Sequence, residues 1–200
     1  MKITAIKQQV KRSDRYSIYI DEKYVCSFSE NELLRLGLRI GLELSSDDLT
    51  NLKDNSARDK AYYRSLDLLS RRLRSEWEMR DYLKRKEYTQ EIIDSVLERL
   101  QERGYINDRV FAERWIENRH LLKPSSKRRL RQELQQKHIA TSVIDEVLSA
   151  DEADEREVLR QLIERKRHRY PDKLKFMQYL ARQGYRYDDI KAELEADSGG

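Results

Sequence analysis

One cysteine, two prolines and six glycines in 200 residues leave this chain short of the residues that punctuate tight-turned β folds. A sandwich or barrel needs a Gly, Pro, Asn or Asp turn after every short strand, so an all-β architecture is excluded. Cys26 has no second cysteine to pair with, and no Cys and His residues stand at metal-ligand spacing. A reducing cytoplasm and a chain without a cofactor are the expectation. Long apolar runs are also missing. The most apolar stretch, LLRLGLRIGL, carries Arg35 and Arg39 and is far shorter than the roughly 20 residues that span a bilayer. The first residues, MKITAIKQQVKRSDR, lack the apolar segment of a signal peptide. The expectation is a soluble cytoplasmic protein with no membrane partner.

Charge is abundant, with 39% of residues ionisable against 38% apolar. That balance suits narrow helices with one buried stripe and a broad solvated face. The net charge is only +4, from 41 basic and 37 acidic residues, so its distribution matters more than its total. Residues 1–56 hold 9 basic and 9 acidic side chains, 57–106 hold 12 and 10, 107–150 hold 9 and 6, and 151–200 hold 11 and 12. Positive charge gathers in the middle.

The periodicity changes along the chain. YSIYI and YVCSF alternate with period two across the polar turn DEK, and Ile3 and Ile6 precede them, so residues 1–56 are read as a segment with two or three antiparallel strands. Ser29 with Glu32 has capping-box spacing and Gly37 suits a left-handed stop, which predicts a short helix over 30–36; Ser46 followed by DDL opens another. From about residue 57 the period is helical and a repeat emerges. With Leu83, Leu134 and Leu180 in register, Met79, Leu130 and Phe176 align, as do Tyr88, Ile139 and Tyr185. Ile93, Ile144 and Ile190 form a fourth apolar column, and Leu97, Leu148 and Leu194 a fifth. Ser75, Ser126 and Asp172 occupy one N-cap column, and Pro124 and Pro171 precede the second and third caps. The expected fold is mainly α: three tandem three-helix repeats over 57–106, 107–150 and 151–196, forming an elongated curved array behind the β segment, with a tail at 197–200.

No phosphate loop, HExxH or nucleophile elbow occurs, so catalysis is not expected. His120, His138 and His168 are read as scattered solvated residues. Acid–base pairs at helical spacing, such as Asp81 with Arg85, mark solvent faces. The basic clusters are the candidate binding residues. Lys127, Arg128, Arg129, Arg131 and Lys137, with Lys123, face one acid, Glu133. The first repeat offers Arg71, Arg72, Arg74, Lys84 and Arg85, and the third offers Arg165, Lys166 and Arg167. Each cluster could simply be a solvated face. Their recurrence near the same inter-helix junction favours a positive track for a polyanion or an acidic protein groove. Tyr88 and Tyr185 are read as core residues whose hydroxyls reach the edge. Trp77 is either a packing residue or an exposed anchor.

Three stretches carry a family resemblance: GYINDRVFAERWIENR from Gly104, KRRLRQELQQKHI from Lys127, and LDLLSRRLRSEWEMRDYLKRKEY from Leu66. The chain resembles the RecX family of recombinase regulators over about residues 57–196, and its β segment is similar to the N-terminal extension of longer members. The family's usual glycine after the basic helix is Glu87 or His138 here, and Trp77 stands where Glu is common. Those two helix ends are therefore expected to close differently. The helical periodicity suggests a monomer, and the resemblance implies a protein without catalysis that binds the RecA–single-stranded DNA filament in its groove and inhibits ATPase, strand exchange and co-protease activity. That would modulate DNA repair and the SOS response. A free-standing nucleic-acid-binding repeat protein and a structural adaptor remain the other readings.

Overall fold

The computed structural model describes residues 1–197, with only the backbone of Asp197; apart from that residue, which ends the last helix, the expected tail lies outside the described residues. The N-terminal segment forms a three-stranded antiparallel meander, β1 (Ile3–Gln8), β2 (Arg15–Ile20) and β3 (Lys23–Ser29), in that order. The period-two pattern turns Ile18, Ile20, Cys26 and Phe28 inward beside Ile3. Asp21 and Glu22 make the β2–β3 turn with φ of 46° and 68°, the positive values that match the twist of a two-residue hairpin.

A sheet this small needs a helix against it. Helix α1 (Glu30–Arg35) follows at once, and α2 (Ser46–Leu69) crosses the sheet. The cap of α1 differs from the expected box. The Ser29 hydroxyl accepts from the Glu32 amide, but the Glu32 carboxylate is held by Arg35, and the Ser29 amide donates instead to Asp59 on α2. Helix α2 begins at Ser46 as expected, with Ser45 as its N-cap and Ser45 and Asp48 forming a reciprocal capping box. It continues unbroken past residue 57, so the segment expected from Ser46 and the first helix of the repeat region are a single rod. Between sheet and helix lies a buried ion pair: Arg15 meets Asp59 at 2.9 Å, and Asp59 also accepts from the Ser29 hydroxyl at 2.7 Å.

By internal packing the chain forms two units, Met1–Leu73 with Glu78–Ile106, and Arg74–Trp77 with Asn107 onward. In the first unit, α2, α3 (Glu76–Arg85) and α4 (Gln90–Glu102) enclose Ala61, Tyr62, Met79, Leu83, Ile93 and Leu97. The second unit holds α5 (Asp108–Leu122), α6 (Lys127–Gln136), α7 (Thr141–Ala150), α8 (Glu155–Lys166), a 3-10 turn at Arg167–Arg169, α9 (Lys173–Arg182) and α10 (Tyr187–Asp197). Its two apolar clusters centre on Leu130, Leu134 and Ile144, and on Phe176, Leu180 and Ile190. Of the five aligned columns, every member is buried except Tyr88, which is half-buried. Its hydroxyl does reach the edge, accepting from Arg64 at 3.1 Å. Tyr185 is a correction: its hydroxyl is buried without a hydrogen-bond partner among the described residues, and burial raises its pKa. His120 is also not solvated, lying 3.1 Å from the Asp151 carboxylate in a part-buried pair.

Helix closure gives a further correction. Glu87 and His138 take φ of 61° and 56°, and Gly184, their counterpart after α9, takes 94°. All three ends therefore close through the left-handed residue. The Tyr88 amide reaches back to the Leu83 carbonyl and the Ile139 amide to Leu134, as in a Schellman turn. A side chain in that region costs about 1–2 kcal/mol. Glu87 is exposed, so Glu87→Gly is expected to stabilise the first unit by about 1 kcal/mol in urea unfolding. A neutral or negative change would show that the Glu87 side chain makes a compensating contact.

Candidate functional site

Ser126 caps α6 by accepting from the Arg129 amide, and Asp172 caps α9 through the Leu174 and Lys175 amides. These caps fix where the basic residues of the first turns emerge. Two further bonds anchor the start of α6. The Ser126 hydroxyl donates to the Gln183 carbonyl at the end of α9, and the Lys127 amide donates to Glu155 in the first turn of α8. The same pair of bonds occurs at Ser75 and Glu76, which pack with the second unit: Ser75 Oγ donates to the Lys137 carbonyl and the Glu76 amide to Asp108. Burial raises the pKa of Asp108, partly opposed by that Glu76 amide bond. In the register of the repeat, Lys137 and Gln183 are equivalent positions, and Asp108 and Glu155 lie 47 residues apart, the spacing of the first helices.

The cationic residues divide by what already holds them. Lys127 is spoken for: its ammonium donates to the Asp151 carbonyl at 2.7 Å and to Leu148 at 3.3 Å, closing the C-terminal end of α7. Arg129 shares Glu133 with Arg119 and the Trp115 indole N–H, so this single acid collects three donors. Lys137 lies over the Trp115 ring at 5.3 Å. Arg131 pairs with Asp145, Arg72 with Glu78 through both terminal nitrogens, Arg71 with Asp67 and Arg85 with Asp81. Such surface pairs are weak and exchange readily for another anion. Arg128, Arg165, Lys166 and Lys84 make no ion pair or hydrogen bond among the described residues; Lys166 is half-buried and the other three are exposed. Arg74 is half-buried with the second unit, and Arg167 is exposed in the 3-10 turn.

Trp77 is 41% exposed and its ring stacks on His138 at 4.1 Å between centroids, 17° from parallel. Two of the three positions where the chain departs from the family's usual residues thus meet. The ring contact offsets part of the left-handed strain at His138. Sequence reasoning missed the collecting role of Glu133, because Arg119 and Trp115 lie on a different helix and no spacing rule links them to it.

Three-helix modules behind a small sheet, with cations uncommitted among the described residues in the last turns of α3 and α8 and the first turn of α6, define a helical-repeat protein. The family descriptions "Regulatory protein RecX N-terminal domain", "RecX, first three-helix domain" and "RecX, second three-helix domain" match residues 1–45, 61–100 and 107–148. A regulatory protein RecX from Bacillus velezensis is 34% identical over 200 residues, covering 96% of this chain and 76% of that protein. One from Listeria monocytogenes is 36% identical over 165 residues, covering 82% of this chain and 61% of that protein. A crystal structure of regulatory protein RecX aligns with a TM-score of 0.74 at 27% identity, covering 97% of this chain and 98% of that one. The chain belongs to the RecX family of regulatory proteins. Among the described residues no helix is long and apolar enough to cross a membrane.

Proposed function

We propose that this protein acts in the cytoplasm as a non-enzymatic monomer that binds the RecA–single-stranded DNA filament in its helical groove and inhibits the recombinase's ATPase, strand-exchange and co-protease activities, modulating DNA repair and the SOS response. The observation that carries this reading is the set of uncommitted cations, Lys84, Arg128, Arg165 and Lys166, in a chain of a family named for regulation. Three of them lie on successive three-helix segments, where many weak contacts add as avidity. Arg71, Arg72, Arg85, Arg129, Arg131 and Arg167 form a second rank, available once their own acids or neighbours release them.

The variant Lys84→Glu/Arg128→Glu/Arg165→Glu tests the reading, leaving Lys127 in place because its ammonium closes α7. Inhibition of RecA's DNA-dependent ATPase is expected to require about ten-fold more protein or beyond, since each lost contact weakens binding a few-fold. Inhibition at the wild-type concentration, with far-UV circular dichroism unchanged, would remove these residues from the mechanism. A free-standing nucleic-acid-binding protein would instead bind naked single strands as tightly as it acts on the filament. Parallel titrations into DNA alone and into filament separate the two.

A further inference from the structure

A cleft in the first unit, formed by α1, α2 and α4, holds arginines that none of the basic sequence clusters contains. Its inner part encloses 220 Å³ and is lined by Asn55, Arg58, Tyr62, Ser95 and Arg99; an adjoining outer part of 430 Å³ adds Arg103. Many arginines of this chain sit against a carboxylate, but the side chains of Arg58, Arg99 and Arg103 make no ion pair or hydrogen bond among the described residues. The Nε of Arg58 is buried with no partner among the described residues, a costly arrangement unless a ligand or solvent supplies an acceptor. Arg99 is held face-on over the ring of buried Tyr62 at 4.1 Å, with Arg103 5.9 Å from the same centroid.

The acids of the inner cleft are already engaged. Glu32 is bound by Arg35 through two nitrogens, and Asp59 by Arg15 and Ser29. Glu98 and Glu102 line only the outer part, and neither pairs with an arginine among the described residues. Apart from those two glutamates of the outer part, the cavity is lined by planar N–H forks, the Asn55 amide and the Ser95 hydroxyl, the donor chemistry that recognises a phosphate or another oxyanion rather than a cationic or apolar ligand.

We propose that this cleft binds a phosphate group, supplied either by the backbone of a single DNA strand or by a free polyphosphate. The inner volume takes one phosphate with its hydration, and the wider outer part leaves room for the groups attached to it. The cleft shares no residue with the proposed filament-binding set, so its failure would leave that proposal standing.

The test uses the full chain without RecA and two probes, fluorescently labelled (dT)8 by anisotropy and inorganic triphosphate by calorimetry. For Arg58→Gln/Arg99→Gln, affinity for the bound probe is expected to fall at least ten-fold. If the probe is (dT)8, the slope of log K against log salt should also shrink by about 1.4, roughly 0.7 for each of two phosphate contacts. Arg103→Gln, which alters only the outer wall, should weaken binding about three-fold and decides the matter if the double variant unfolds. Loss of (dT)8 binding identifies a strand, and loss of triphosphate binding alone identifies a free polyphosphate. Affinity for both probes that is indifferent to all three arginines overturns the proposal.

Discussion

Replacing Gly184 with alanine is expected to lower the unfolding free energy of the second unit by about 2–5 kcal/mol, through two additive causes. The residue has φ of +94°, where a Cβ is strained, and that Cβ would stand 2.3 Å from the Ser126 hydroxyl and 3.1 Å from the Arg129 amide nitrogen. The neighbour is the cap of α6, itself bonded to the Gln183 carbonyl, so it cannot give way without releasing the helix start. Both tryptophans, Trp77 and Trp115, belong to this unit, and their fluorescence in a urea titration reads the loss. A midpoint unchanged from wild type would mean that the α6–α9 joint is looser than drawn. Ser126→Gly in the same background should recover part of the loss by vacating the collision, while forfeiting the cap.

Asp59→Ala is expected to cost the first unit about 3–5 kcal/mol, because it strands the Arg15 guanidinium, whose side chain is 4% exposed, without its counter-charge. It also removes the acceptor of the Ser29 amide and hydroxyl, so the junction between β3 and α1 loosens with it. Cys26 supplies the readout. Burial pushes its thiol pKa up to about 11, so it reacts with a disulfide reagent only when the sheet opens. Faster labelling at pH 8 with an earlier urea midpoint is the expected result. Arg15→Met added to Asp59→Ala should recover much of the stability, since an apolar pair of similar volume removes the unpaired charge. Labelling at the wild-type rate in the single variant would show that solvent reaches and screens Arg15.

The residues that built the repeat register were legible because their positions repeat. Met79, Leu130 and Phe176, and the column of Leu83, Leu134 and Leu180, recur at one offset in each helical segment, and burial follows from that periodicity alone. Caps at Ser126 and Asp172 were legible for the same local reason: a short oxygen immediately before a helical run has few other uses. Helix closure at Glu87 and His138 was misread because glycine was taken as a requirement. The backbone bonds of Tyr88 to Leu83 and of Ile139 to Leu134 close both ends with these residues in the left-handed region against their own preference, and the Trp77 ring supports His138.

The basic clusters were visible as composition, but their roles were not. Lys127 and Arg128 are neighbours in sequence, yet one is fastened to two carbonyls of α7 and the other is free among the described residues. The arginines of the first-unit cleft were invisible, since Arg58 lies 41 residues from Arg99 and the intervening glutamates make α4 read as an ordinary solvated face.

By itself the sequence determined the order of strands and helices, the apolar columns and the family, because each rests on short-range periodicity and local backbone chemistry. The tertiary structure alone decided which charges are committed across the fold, beyond local pairs such as Asp81 with Arg85 that helical spacing marks. Those ion pairs depend on distances between residues far apart in the chain, and Arg15 with Asp59, or Arg119 with Glu133, meet only after the helices have packed.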